Sequence, residues 1–452
     1  MSDIIAAVAT GHSACAIGIL RLSGPGCIEA AGQVFTPKFG SLERLRDRNL
    51  TLGYLRDKDG RVIDEVLLTV SHAPNSYTGE DTAEFQCHGS PAVLAAGLEA
   101  LFAHGVRQAG PGEFTKRAFL NGRMDLTQAE AVIDLIDAES ADAAANAAGQ
   151  LGGAMLRRIA PVYDRLTDVM AHFHAVLDYP DEDIDPFTLS AVETDLWQAG
   201  AKLRELLATY GRGQVLRRGL RAVILGKPNT GKSSLLNLLA GYDRVIVTDI
   251  AGTTRDSVEE TVKLGRHLLR LVDTAGIRST DDQIERMGVE RAEAAAARAD
   301  LALYVCDGSM PLSEEDFRAQ DAAMEAPYAI AILNKQDLPR QVLPSDLPFE
   351  WVIPFCARTG EGLEQLEYAL DCLFDDSVPC DGSILTNARQ AGAVARAVEA
   401  LERALAALKQ GLTPDAVLVD VEAALEALGE ITGQTMREEI TNRIFERFCV
   451  GK

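Results

Sequence analysis

Gly226-Lys-Pro-Asn-Thr-Gly-Lys-Ser233 lies directly after the apolar run Arg221-Ala-Val-Ile-Leu225 and directly before Ser234-Leu-Leu-Asn-Leu-Leu-Ala240. A buried strand feeding a glycine-rich loop and then a helix is the setting a phosphate-binding loop requires. Gly226 and Gly231 let the backbone curl so that its N–H groups face a polyphosphate, with the helix N-terminus adding positive potential. Within the loop, Asn229, Thr230, Gly231, Lys232, Ser233 and Ser234 are the nucleotide-contacting candidates. Lys232 reaches the outer phosphates in this reading, and the Ser233 hydroxyl holds Mg²⁺.

Working outward, Asp273-Thr-Ala-Gly276 follows the strand-like Leu268-Leu-Arg-Leu-Val272, and Asn334-Lys-Gln-Asp337 follows Ala329-Ile-Ala-Ile-Leu333. Asp273 suits work on Mg²⁺ through a bound water, and Gly276 lets a backbone N–H approach a γ-phosphate. The Asp337 carboxylate can accept from N1–H and the 2-amino group of guanine, donors that adenine lacks. Asn334 and Lys335 belong to the same base-recognition segment. Cys356-Ala357 follows Trp351-Val-Ile-Pro-Phe355 where guanine-binding domains usually carry Ser-Ala; cysteine also supplies the backbone N–H used there. A buried thiol is compatible with that role. Together and in this order, the segments predict a GTP-binding domain.

Ile277 stands after Gly276, where many signalling GTPases place a water-orienting glutamine. Catalysis must then draw its water-positioning group and counter-charge from elsewhere. Asn229 offers a side-chain oxygen to a monovalent cation beside the phosphates. Glu285, twelve residues after Asp273, either orients the water or belongs to a solvated acidic face. In Thr248-Asp-Ile-Ala-Gly-Thr-Thr-Arg-Asp256, Thr253 or Thr254 can close on Mg²⁺. Arg255 reads as an exposed or salt-bridged arginine rather than an arginine finger.

The chain has 452 residues, 47% of them hydrophobic, enough for about three domains. Eight cysteines stand without a Cys-x-x-Cys pair or a metal-ligand spacing, which suits a reducing cytoplasm. The start, Met1-Ser-Asp-Ile-Ile, lacks the basic flank of a signal peptide, and no apolar stretch approaches the ~20 residues of a membrane span. A net charge of −23 argues against the whole surface clamping nucleic acid, so RNA contact needs a local patch or a partner.

More than half of the chain lies outside the GTPase segment, taken as 216–380. Residues 1–120 read as a small α+β domain. Ala16–Leu22 is strand-like, Asp59-Gly60 marks a hairpin between Leu52–Leu55 and Val62–Val70, and Pro91–His104 reads as a helix. Helical stripes follow at 125–150 (Ala129, Val132, Ile133, Ile136), at Val394–Leu408 and at Leu418–Leu428. These predict a helical domain made from 121–215 and 381–452, into which the GTPase domain is inserted, or alternatively two separate bundles. Cys449, three residues from the end, is a nucleophile, a resolving group or a packed thiol.

Over its whole length the chain resembles the tRNA modification GTPase family MnmE, also called TrmE. The resemblance rests on Gly18-Ile-Leu-Arg-Leu-Ser-Gly24, Pro74-Asn-Ser-Tyr-Thr-Gly-Glu-Asp81, Pro111-Gly-Glu-Phe114, Arg117-Ala-Phe-Leu-Asn121, the 226–233 loop, Asp249–Asp256 and the terminal Cys-Val-Gly-Lys. It implies a cytoplasmic homodimer paired through N-terminal domains that bind 5,10-methylene- or 5-formyl-tetrahydrofolate. It also implies a heterotetramer with the flavoprotein MnmG, acting on C5 of the wobble uridine of certain tRNAs. That partnership adds an aminomethyl or carboxymethylaminomethyl group, with the carbon from the folate and the amine from glycine or ammonium.

Position by position, the resemblance makes Asn229 a K⁺ ligand, with Thr248, Ile250 and Thr253 around the same ion, and Thr254 the Mg²⁺-contacting threonine. Gly252 becomes a backbone donor to the transition state and Glu285 the water-orienting glutamate. Arg21, Glu84, Arg123 and Lys452 fall on folate-contact positions. Arg123 replaces a lysine found in some members, which changes its hydrogen-bond geometry. Cys449 falls on the family's terminal cysteine. The competing readings are a regulatory or ribosome-assembly GTPase, and a folate-dependent one-carbon enzyme with a GTPase as its switch.

Overall fold

A computed structural model describes residues 3–11, 13–42, 45–178, 189–242, 260–272, 296–374, 379–433, 444–446 and 448–451. The chain divides into two compact units, each built from segments distant in sequence. One holds Met1–Ile133, Gln150–Gly200 and Arg396–Lys452; the other holds Asp134–Gly149 and Ala201–Ala395.

The first unit opens with β1 (Ile5–Val8), β2 (Cys15–Ser23), α1 (Cys27–Val34), β3 (Phe35–Pro37), β4 (Thr51–Arg56), β5 (Val62–Ser71), β6 (Thr82–Gly89), α2 (Pro91–Phe102) and β7 (Arg107–Gln108). The strands form one sheet in the order β3-β4-β5-β6-β2-β1-β7. All its pairings are antiparallel except β1 with β7. Period-two alternation in β2 sends Leu20 and Leu22 into a core with Leu55, Leu68, Phe85 and Leu101, leaving Arg21 to the opposite face. The hairpin predicted at Asp59-Gly60 is present, but its loop is longer than that dipeptide. Asp57 Oδ1 accepts from the backbone N–H groups of Asp59 and Arg61, closing a five-residue connection.

Helices follow: α3 (Glu113–Leu120), α4 (Leu126–Ile136), α5 (Ala141–Leu151), α6 (Ala154–Asp178), α7 (Leu189–Ala208) and α8 (Tyr210–Arg218). The alanine-rich stretch at 125–150 is two helices rather than one stripe. Ser140 breaks it, its hydroxyl accepting from the Ala143 N–H at 3.1 Å as a helix N-cap does. Ile136, at the end of the stripe, is 49% exposed and not part of a core seam.

The GTPase sheet contains β8 (Leu220–Leu225), β9 (Glu260–Leu264), β10 (His267–Leu271), β11 (Leu301–Asp307), β12 (Tyr328–Asn334) and β13 (Trp351–Pro354), in the order β13-β12-β11-β8-β10-β9. Only the β9–β10 pairing is antiparallel. Helices α9 (Lys232–Tyr242), α10 (Glu314–Ala323) and α11 (Leu363–Leu373) belong to this unit. With both faces covered, the central strands are nearly continuous apolar runs; every residue of β11 is buried. Ile224 and Leu303 face one core with Leu235 and Leu366, while Val223 and Tyr304 face another with Ala323. The chain closes with α12 (Ala388–Lys409) and α13 (Pro414–Thr432). Helix α13 packs on α6 within the first unit, so helical segments before and after the GTPase sheet share one body.

Candidate functional site

The carboxyl ends of β8, β12 and β13 deliver the described loops that carry predicted nucleotide residues, the usual crevice for a ligand on a parallel sheet. Gly226 (φ 146°) and Gly231 (φ 101°) occupy backbone regions that side chains disfavour. A Cβ on Gly226 would run into the Val305 carbonyl oxygen, and one on Gly231 into the Asn334 amide nitrogen. Asn229 is left-handed (φ 62°), a conformation asparagine tolerates better than most residues, and it is exposed. The loop is thus a close-packed cradle. The Lys232 ammonium donates to the carbonyl oxygens of Gly226 (2.6 Å) and Lys227 (2.7 Å). Ser233 and Ser234 are exposed at the start of α9.

Asn334 joins the phosphate loop to the base-recognition loops. Its Nδ2 donates to the Thr230 carbonyl at 2.8 Å and its Oδ1 accepts from the Ala357 N–H at 3.0 Å. Lys335 is left-handed (φ 64°) and pairs with Asp307 at 2.6 Å. Burial works against charge on Asp307, but Lys335 and Ser309 outweigh it and hold its carboxyl below the ordinary value. Asp337 accepts from the Cys356 thiol at 3.5 Å and pairs with the exposed Arg358 at 3.0 Å. The Cys356 N–H is already given to the Glu361 carbonyl, so the group that Cys356 turns to Asp337 is its thiol. Asn229, Thr230, Gly231, Lys232, Asn334, Lys335, Asp337, Cys356 and Ala357 are therefore gathered on one sheet edge. Thr248, Ile250, Gly252, Thr253, Thr254, Asp273, Gly276, Glu285 and Lys452 lie outside the described residues.

A second charged site lies on the N-terminal sheet. Arg21 on β2 stands opposite Glu84 on β6, and its Nε donates to Glu84 Oε1 at 2.6 Å. The guanidinium carbon lies 5.5 Å from the Tyr77 ring centre and 5.8 Å from that of Phe114. Arg123 lies against the turn carrying Tyr77; a Cβ on Gly79 would be 3.1 Å from its Cγ. Arg21 and Arg123 thus both lie against the 76–80 loop, and Glu84 joins them through its pair with Arg21.

The end of the chain docks here. Val450 bridges to Pro111 and packs with Ile5, Ala7, Ala109 and Phe114, the ring under Arg21. Phe448 and Phe445 fill a pocket with Leu126, Ala129 and Val132, while Cys449 between these anchors is exposed. By contrast, burial pushes the thiols of Cys27 and Cys87 up to about 12.

Sequence reading missed a network around Arg117, which pairs with Asp3 (2.8 Å), Glu80 (3.0 Å) and Glu113 (3.0 Å). Burial opposes the Arg117 charge, yet Glu80 and Glu113 raise its pKa above the ordinary value. Arg107 also pairs with Asp3 and Glu113, and holds the Asp3 carboxyl well below the carboxylate range. The i,i+4 spacing of Glu113 and Arg117 on a helix was the available signal. A cavity of about 500 Å³ opens beside them, lined in part by Lys116, Asn121 and Phe445.

A mostly parallel sheet with a glycine cradle and an Asn334-linked base loop defines a P-loop GTPase, carried here with an N-terminal α+β domain and a split helical domain. Residues 4–123 match the family model for the GTP-binding protein TrmE N-terminus, and residues 126–449 that for the MnmE helical domain. The tRNA modification GTPase MnmE of Roseiflexus sp. (strain RS-1) is 41% identical over 463 residues, covering 100% of this chain and 99% of that one. That of Akkermansia muciniphila is 45% identical over 451 residues, covering 99% and 98%. The G domain of the T. maritima FeoB iron transporter aligns with 34% of this chain and 98% of its own at 25% identity, with a TM-score of 0.25. The chain belongs to the MnmE family of tRNA modification GTPases.

Proposed function

We propose that this chain is a K⁺-activated GTPase that works in the cytoplasm as a homodimer with the flavoprotein MnmG. Together they add an aminomethyl or carboxymethylaminomethyl group to C5 of the wobble uridine of certain tRNAs. The observation that carries this reading is the span of the match: it runs over the N-terminal sheet and the docked tail as well as the GTPase sheet. A regulatory or ribosome-assembly GTPase would account for the nucleotide site alone.

In this reading Lys232 leaves the loop carbonyls for the nucleotide's outer phosphates, and Asp337 exchanges Arg358 for the guanine edge. The glycine loop suits a polyphosphate, because side chains at Gly226 or Gly231 would strike the Val305 carbonyl or the Asn334 amide and spoil the curl that turns its N–H groups to phosphates. Ser233 and Thr254 would hold Mg²⁺. Asn229, with Thr248, Ile250 and Thr253, would hold K⁺, which when bound would neutralise charge developing on the phosphates. Gly252 would offer its N–H to the same charge and Glu285 would orient the attacking water; Asp273 and Gly276 complete the nucleotide shell. Arg21, Glu84, Arg123 and Lys452 would hold a 5,10-methylene- or 5-formyl-tetrahydrofolate, which supplies the one-carbon unit. The Arg21–Glu84 pair against Tyr77 suits such a ligand, offering an anion partner, a hydrogen-bond acceptor and an aromatic face.

The test is reconstitution of full-length chain, flavoprotein partner, folate, glycine or ammonium and substrate tRNA, read by mass of the wobble nucleoside. The expected product carries the new C5 substituent. Cys449→Ser is expected to lose product while keeping GTP turnover within about twofold, since an exposed substitution there leaves the fold intact. GTP turnover without any nucleoside product would overturn the modification role and favour the regulatory reading.

A further inference from the structure

Lys227 is the second residue of the phosphate loop, and its side chain reaches Asp316, a carboxylate with 0% exposure. Lys227 Nζ lies 2.7 Å from Asp316 Oδ2. Asp316 is the third residue of α10, and the same oxygen closes the helix cap, accepting from the Ser313 N–H and hydroxyl at 2.8 Å each. A capping carboxylate completes the helix end through hydrogen bonds and needs no cation for it. Here it is fully buried, and a buried charge without a partner is strongly destabilising. The pair therefore fixes Lys227 to the helix in one geometry.

The other end of Lys227 is equally committed. Its carbonyl oxygen accepts from the Thr230 hydroxyl at 3.0 Å and from the Lys232 ammonium at 2.7 Å. Thr230, itself buried, gives its own carbonyl to Asn334. A continuous chain of contacts thus runs from the cap of α10 through Lys227 and Thr230 to Asn334 in the base-recognition segment.

We infer that Lys227 and Asp316 are positioning residues that hold the phosphate loop in its nucleotide-accepting shape before nucleotide arrives. The inference rests on the GTP-binding reading given above. Pre-ordering the loop lowers the conformational cost of binding, so the couple acts on affinity rather than on the chemical step. It acts on the loop that takes the diphosphate part common to GTP and GDP.

The experiment measures GTP and GDP affinity with fluorescent nucleotides, and turnover at saturating GTP, for the full chain and its variants. In Lys227→Met both dissociation constants rise in parallel by about tenfold or more, while saturated turnover stays within about twofold. Lys227→Arg, which keeps the charge and the reach, restores both constants to within about threefold. Asp316→Asn follows Lys227→Met where it folds, and the lysine series decides the matter where it does not. Unchanged affinity in Lys227→Met, with only a lower melting temperature, would reduce the couple to a helix-cap support. A loss confined to GTP would also overturn the inference, placing Lys227 on the γ-phosphate instead. Absence of nucleotide binding by the unsubstituted chain would strike at the GTP-binding reading itself.

Discussion

Asn334 shows what a single side chain contributes. It is 3% exposed and spends its amide on two loops: Thr230 on the phosphate side and Ala357 on the base side. Asn334→Ala leaves a carbonyl and an N–H without partners, at about 1–3 kcal/mol for each buried group. GTP affinity is expected to fall by about tenfold or more, since every ~1.4 kcal/mol is a factor of ten. Titration calorimetry checks it, and an unchanged dissociation constant would mean that the two loops hold each other without Asn334. This residue was legible in sequence because the base-recognition motif is contiguous. The partners of Arg21 and Lys227 were not, because Glu84 and Asp316 arrive through strand register and a helix cap, 63 and 89 residues away.

At the scale of elements, the docked tail is the clearest departure from expectation. Position near a chain end gave no sign of anchoring, yet Phe448 and Val450 are held by two different apolar clusters. Phe448 stands 5.3 Å from the Phe445 ring and is 5% exposed. Phe448→Ala is expected to weaken the docking by about 3 kcal/mol, the low end for loss of a buried aromatic. Hydrogen exchange at residues 449–451 should then quicken while GTP affinity holds; unchanged protection would show that Val450 alone anchors the tail. The carboxyl end of β11 gives a prediction of opposite character. Unfolded, Asp307 titrates near ~3.9, and folded it titrates lower. Its stabilisation is thus complete above the unfolded value and is lost as the pH falls through the folded one. Asp307→Asn should lower the melting temperature at neutral pH, and the gap to the unsubstituted chain should narrow as the pH drops below ~4. A gap independent of pH would place the stabilisation elsewhere.

Across the whole molecule, the class of each part was readable and the wiring was not. Apolar runs and turn residues indicated an α+β start, a GTPase sheet and flanking helices. They did not reveal that Ser140 splits the 125–150 stripe, or that Asp134–Gly149 joins the nucleotide-binding unit rather than the other. Such allegiance depends on pairs such as Arg217–Asp134 at 2.8 Å and the Gly382 N–H on Asn146, which no periodicity encodes. The chain carries 67 acidic residues against 44 lysines and arginines, so its net field opposes a tRNA, and contact with one needs a local basic patch or a partner that supplies positive surface.

The same economy governs hydrolysis. In the proposed reading Ile277 offers no group to orient water and Arg255 is an ordinary arginine, so counter-charge beyond that of Lys232 is expected from a bound cation. Asn229, exposed in the loop with a left-handed backbone, is the residue proposed to bind it. GTP turnover is therefore expected to be about tenfold or more faster in KCl than in NaCl at equal ionic strength, about 1.4 kcal/mol or more off the barrier. Asn229→Ala should make the two salts equal while leaving GDP affinity within about threefold. Glu285→Ala should bind GTP normally and turn it over slowly in either salt. Equal rates in both salts for the unsubstituted chain would remove the cation from the mechanism and leave hydrolysis dependent on a group brought by another protein.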